Sequence, residues 1–199
     1  MLKHLIPRIP LSDLPALLGF TVLGAAIAGC YGVLHDQITF AIGPEYFYNF
    51  KFHQFSNANS GLGDRVFAGC IGFLATWWVG LIVGWILARR CLPSQNRKTA
   101  RRQICYGFII VFTTGFGAGL SAYLYGLWRG PDADYSDWAS ALAAHNVTDT
   151  WGFMRVAYIH NASYIGGAFG LALTYVMIRP AVPEPETSDG ESTSPQEVS

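Results

Sequence analysis

The sequence predicts an all-α fold, an integral membrane bundle of four transmembrane helices with a short interfacial helix over its outer end. Three observations carry this. Of 199 residues, 51% are hydrophobic and only 13% charged, a balance suited to a lipid-facing surface rather than a solvated one. Four windows, 14–34, 66–88, 104–128 and 156–178, supply the roughly 20 apolar residues a helix needs to cross the hydrocarbon layer. The basic residues, finally, are gathered on one side of that pattern.

The first three windows contain no charged residue, whereas the fourth carries His160, Asn161 and Ser163 near its start. Polar groups at membrane depth are expensive and tend to be functional, so this span is the one to examine for chemistry. Between the second and third windows lies "RRCLPSQNRKTARR", with Arg89, Arg90, Arg97, Lys98, Arg101 and Arg102 and no acid. The positive-inside rule places this loop in the cytoplasm. Lys3 and Arg8 put the N-terminus on the same side, and an even number of spans returns the C-terminus there. Segments 35–65 and 129–155 then face outward. A basic loop between two spans is explained by topology and by anionic lipid, and nucleic acid is not expected as a partner.

The formal net charge is zero, but Glu184, Glu186, Asp189, Glu191 and Glu197 all fall after Pro180. Residues 181–199 are rich in Pro, Ser, Thr and Glu with little to bury, and read as a disordered acidic cytoplasmic tail beside a transmembrane domain of 1–180. Within the spans, Gly80/Gly84, Gly115/Gly119, Gly166/Gly170 and Gly24/Ala28 have the small-xxx-small spacing that lets helices approach closely. Trp77, Trp78, Trp85, Trp128 and Trp151, with Tyr106 and Tyr125, are expected near span ends, as interfacial aromatics are.

The segment after the first span, "DQITFAIGPEYFYNFKFHQFSNANSGLGD", is too aromatic for a solvated loop. Pro44 suits a first helical position and Glu45 complements the helix dipole. Residues 44–55 therefore read as a short interfacial helix, with Phe47, Phe50 and Tyr46 or Phe55 entering lipid or covering the bundle. A second short helix is expected over "DWASALAAHN", capped by Ser136 or Asp137. Cys30 ends "IAGC", which has the look of a lipobox, but apolar residues continue past it and the span reads as a retained anchor. Cys30 and Cys70 fall toward the outer ends of their spans, where a disulfide is one option and packed free thiols the other.

Polar groups gather at the outer level: His35, Asp36, Gln37, Thr39, Glu45 and His53, then Arg65, Arg155, His160 and Asn161. Helical spacing sets Tyr31 beside His35 and Tyr164 beside His160. If those faces converge, the candidate site is His35, Asp36, Gln37, Thr39, Glu45, Asn161 and Tyr164, with His35, Asp36, Glu45 and His160 as metal ligands. Such nitrogen and oxygen donors suit zinc, iron, manganese or copper. A narrower version is a haem held by His35 and His160. No H-E-x-x-H, C-x-x-C or Glu-x-x-His spacing is present. In the competing reading His35 and Asp36 cap the first span and His160 and Asn161 bond to a neighbouring helix.

The stretch Tyr31, Gly32, His35, Asp36, Gln37, Thr39, followed by Glu45, Tyr46 and Phe47, resembles the YG-x-x-HDQ-x-T…EYF segment of a family of small, uncharacterised bacterial integral membrane proteins. The resemblance covers residues 30–55, and beyond them only the layout of spans. It implies a multi-pass protein of the bacterial inner membrane in which His35, Asp36, Gln37, Thr39 and Glu45 act together, and it brings no reaction with it.

Three functions follow as expectations. The first is an outward-facing polar site that binds a metal ion or small polar ligand. The second is a subunit of an oligomeric transporter, with Arg155, His160 and Asn161 along its path. The third is a scaffold in which the polar cluster is a structural network. The bilayer is the expected partner in each, with a homo-oligomer or a membrane partner subunit as the further option.

Overall fold

Helix boundaries follow from local chemistry. The computed structural model describes residues 9–178; the predicted tail of 181–199 lies outside them. Helix α1 (Leu14–Ile42) carries Pro15 in its first turn, where a missing N–H costs nothing. It stops at Gly43, which Pro44 forces into extended backbone. Helix α4 (Asp64–Cys91) has Asp64 in its first turn and Arg89 and Arg90 in its last, both favourable to the helix dipole. Asn96 caps α5 (Arg97–Arg129) by accepting from the Thr99 amide at 2.9 Å. Asp149 caps α7 (Thr150–Met177) by accepting from the Gly152 amide at 2.8 Å.

Among the described residues, three helical stretches, Leu11–Ile42, Asp64–Cys91 and Arg97–Arg129, are long and apolar enough to cross a membrane. Helix α7 has 28 residues, as α4 does, yet it is not one of these three. His160, Asn161 and Ser163 are the reason. The outside of the bundle is apolar, with Val22, Ile109, Phe116, Ile165, Phe169 and Val176 all exposed, as suits contact with lipid.

The long helices form two antiparallel pairs, α1 with α4 and α5 with α7. In the first, backbones touch. A Cβ on Gly32 would collide with the Gly72 carbonyl and one on Gly72 with the Gly32 carbonyl; Gly24 and Gly80 repeat the relation two turns away. In the second pair Gly166 and Gly170 lie against Thr114, Gly115 and Val111 in the same manner. The predicted packing positions Gly80, Gly84, Gly115, Gly119, Gly166 and Gly170 are all buried. Between the pairs, apolar cores form at the two ends. Leu17, Val83, Leu87 and Ile104 pack near the arginine-rich turn, and Phe40, Phe47, Met154 and Val156 at the opposite end.

Residues 44–54 form that opposite end. Helix α2 (Pro44–Tyr46) widens into a π turn (Phe47–Lys51) and closes as α3 (Phe52–Gln54). Phe47 is fully buried and Tyr46 nearly so, so the segment covers the bundle. Helix α6 (Ala139–Ala144) follows a 3-10 turn, Ser136–Trp138. Neither Ser136 nor Asp137 caps it; the Asp134 carboxylate accepts from the Ser136 amide instead, at 2.8 Å.

Two expectations are corrected. Helix α1 runs on to Ile42 instead of ending near 34, so His35 to Thr39 occupy its last turns and cap nothing. Trp77 and Trp78 sit at the middle of α4, away from its ends.

Because the α1–α4 contact is backbone against backbone, Gly72→Leu is expected to cost at least about 1–3 kcal/mol by overpacking and to lower the melting temperature in detergent. Gly117→Ala, where a Cβ meets nothing within 4 Å, serves as the silent control. Fluorescence-detected size exclusion after a heating series checks both, and equal melting of the two variants would contradict the packing described.

Candidate functional site

Two turns before its end, α1 presents His35 and Asp36 to the bundle interior, and α7 brings His160 to meet them. Asp36 is 4% exposed and His160 6%. A buried carboxylate must be paired. One oxygen does the pairing: Asp36 Oδ1 lies 3.1 Å from His35 Nδ1 and 3.2 Å from His160 Nε2. Gly72 makes the room, since a Cβ there would stand 3.1 Å from the Asp36 Cβ.

Proton positions follow from the partners. His160 Nδ1 is 2.9 Å from the Val156 carbonyl, which can only accept, so Nδ1 carries a hydrogen and Nε2 is the nitrogen turned toward Asp36. A hydrogen bond between Nε2 and Oδ1 then needs one proton held between them. His35 donates its Nδ1–H to the same oxygen, and its Nε2 is buried without a hydrogen-bond partner. The rings are held from outside. Tyr46 stacks on His160 at 5.1 Å, Phe47 meets it edge-on at 6.3 Å, and Tyr31 leans on His35 at 5.5 Å.

His35, Asp36 and His160 form a group able to hold a metal ion, with one donor atom from each lying within 4.8 Å of the others. Donors bonded at 2.0–2.1 Å to a tetrahedral ion stand about 3.3 Å apart, close to the spacings around Asp36 Oδ1. The Val156 carbonyl fixes the His160 tautomer as carbonyls do behind metal-bound histidines. A haem between the two histidines does not fit. Their ring centroids are 4.7 Å apart and perpendicular, with a carboxylate between them, leaving no slot for a macrocycle.

The other predicted site residues have different places. Glu45 stands apart from the group. Its Oε2 accepts from the Thr148 and Asp149 amides, both at 2.8 Å, and its Oε1 from the Thr148 hydroxyl. It clasps the start of α7 to the start of α2. Gln37 and Arg65 bond reciprocally: the Gln37 amide donates to the Arg65 carbonyl at 2.7 Å, and the Arg65 guanidinium donates to the Gln37 carbonyl at 2.9 Å. Thr39 donates to the His35 carbonyl at 3.1 Å. Asn161 is exposed. The Tyr164 hydroxyl lies 3.4 Å from the Ala75 carbonyl, on the wall of a cavity beside the group. Cys30, Cys70, Cys91 and Cys105 are all free.

Sequence reasoning did not assign roles here to Lys51, Gly72 or the Val156 carbonyl. Lys51 donates to Gln54 at 3.2 Å and lies over the Phe50 ring at 5.2 Å. Burial pulls its ammonium below the ordinary range, and the Asp36 carboxylate works against that pull. Burial also pushes the Tyr46 phenol well above its ordinary range. A helical back-bond from His160 reaches the residue four positions earlier, so Val156 was readable once α7 was placed.

Comparison with protein-family models, with curated proteins and with solved structures finds no match to this chain. The described residues define a helical fold with three helices long and apolar enough to cross a membrane and a buried His35–Asp36–His160 group that could hold a metal ion.

The Thr148 hydroxyl above all holds the Glu45 carboxyl below its ordinary range, against the opposing effect of burial and with the help of the two amides. A depressed folded value means that the clasp stabilises fully above the unfolded value of about 4.3, and that this stability is lost as pH falls through the folded one. Glu45→Gln should therefore melt a few degrees below wild type at pH 7, the gap closing in strong acid. Thermal unfolding from pH 7 to pH 3 checks this, and a gap that widens in acid would contradict it.

Proposed function

We propose that this chain is a four-span protein of the bacterial inner membrane, with both termini cytoplasmic, that binds a divalent transition metal at an outward-facing site made by His35, Asp36 and His160. The observation that carries the reading is the convergence of two imidazoles on one buried carboxylate oxygen across 124 residues of sequence. A metal ion replaces the proton that His160 and Asp36 otherwise share, and so removes the cost of burying a carboxylate.

Helix α7 supports the fourth span, because at about 42 Å it matches α4 in length and runs antiparallel along α5. Its polar residues are those a buried site requires. The rows Trp85/Arg89, Tyr106/Arg102 and Tyr175/Arg90, with guanidinium to ring distances of 5.2, 5.3 and 4.5 Å, gather at the arginine-rich end. Arginine and aromatics together mark a membrane boundary, which supports placing that end at the cytoplasmic face. The YG-x-x-HDQ-x-T…EYF resemblance fits the same picture, with Glu45, Gln37 and Thr39 as supports of the site. Three protein donors leave one tetrahedral position for water or a substrate, the arrangement of catalytic zinc sites.

Elemental analysis tests this on tag-free protein purified in detergent and dialysed against zinc, manganese, iron and copper salts in turn. About one ion per chain is expected in wild type, and about a hundredfold weaker retention in His160→Ala or Asp36→Ala. Wild type that holds no ion under any of the four salts, while eluting as a single species, would overturn the metal site.

A further inference from the structure

The two helix pairs meet at their ends and leave a cavity of about 340 Å³ between them. It runs along α1 from Asp36 to Gly24, which at 1.5 Å per residue is about 18 Å. That is close to half of the roughly 30 Å hydrocarbon layer. Its character changes along its length. One end holds His35, Asp36, His160 and Lys51; the rest is walled by residues such as Ile27, Val83, Phe108 and Leu171. Several wall residues also reach the outside of the bundle, among them Trp78, Ile82 and Phe112, at 49%, 43% and 47% exposure. The cavity therefore opens sideways toward lipid.

We infer that this cavity binds a single-chain membrane lipid of the quinone or quinol class, its ring head against His35 and its chain along the apolar length. This goes beyond the metal site, and for the quinone form it rests on that reading, because Nε2 carries an N–H only when Nδ1 holds a metal. The volume suits a flat head and one narrow chain, and is too small for a two-chain phospholipid. The head is specified at the polar end by His35, which lines the cavity and whose Nε2 is buried with no partner. An unsatisfied buried nitrogen is costly and calls for a ligand atom. Nε2 offers a lone pair when Nδ1 donates to Asp36, and an N–H when Nδ1 holds a metal. A ring oxygen that is a hydroxyl in the quinol and a carbonyl in the quinone answers both states. Tyr31 and Phe112, packed edge to face at 5.2 Å, line the same end and suit a flat ring.

Trp78, on the cavity wall, is a built-in reporter. The full-length chain in detergent, first dialysed against a zinc salt, is titrated with a fully substituted decyl benzoquinone, which cannot alkylate the free cysteines, and tryptophan quenching is followed. Saturable quenching is expected in wild type. In Gly167→Leu, at a wall position where a Cβ meets nothing within 4 Å, affinity should fall at least about tenfold with elution and metal content unchanged. His35→Ala should weaken binding by about tenfold as well, through the lost ring contact. Decanol at equal concentration should not displace the quinone. Wild-type affinity in Gly167→Leu would overturn the site, and displacement by decanol would overturn the assignment of the head. A chain that binds metal but no quinone would sink only this inference, and one that binds quinone but no metal would sink both the metal site and the assignment of the head to His35.

Discussion

A carboxylate taken out of water must find partners that compensate for its lost hydration, and in this protein the partners come from opposite ends of the chain. Asp36 is on the first long helix and His160 on the last. Their contact fixes the distance between the two helix pairs at one end and the rotation of α1 about its axis. Residue 72 is glycine first because a Cβ there would collide with the Gly32 carbonyl, and that bare backbone also leaves the Asp36 side chain uncrowded. The aromatic cover, the Glu45 clasp and the packing of α7 serve the same end. Tyr46 and Phe47 keep water from the imidazoles. Glu45 holds α7 where His160 can reach.

Much of the fold was legible because long apolar segments have few ways to satisfy their backbones other than as packed helices. Three of the four apolar windows correspond to helices with the length and hydropathy to span, and glycine spacing identified surfaces where helices meet. The fourth window was legible as a helix but not as an equally apolar one. The failures have physical causes too. Hydropathy marked the end of α1 near residue 34 because His35, Asp36 and Gln37 are polar. A helix does not stop where its side chains become polar; it stops where the backbone is interrupted, here at Gly43 and Pro44.

The site was legible in part for a related reason. His35, Asp36 and His160 stood out as ionisable groups within or beside apolar spans, and they come together. Glu45 stood out equally, and its lone pairs go to amides at the start of α7. Composition cannot distinguish a carboxylate that faces a cluster from one that fastens a helix end, since both occupy the same level of the bundle. The cavity had no linear signature at all. It exists because two well-packed pairs touch mainly at their ends, and its walls are drawn from all four long helices.

The 124 positions that separate Asp36 from His160 along the chain also separate them in time. At synthesis rates of about 5–20 residues per second, α1 waits on the order of 6–25 s for its imidazole partner to be made. Throughout that interval the carboxylate has His35, one position along the chain, which reaches it without any other helix. The adjacent pair is thus a temporary escort for a charge whose permanent companion has yet to leave the ribosome.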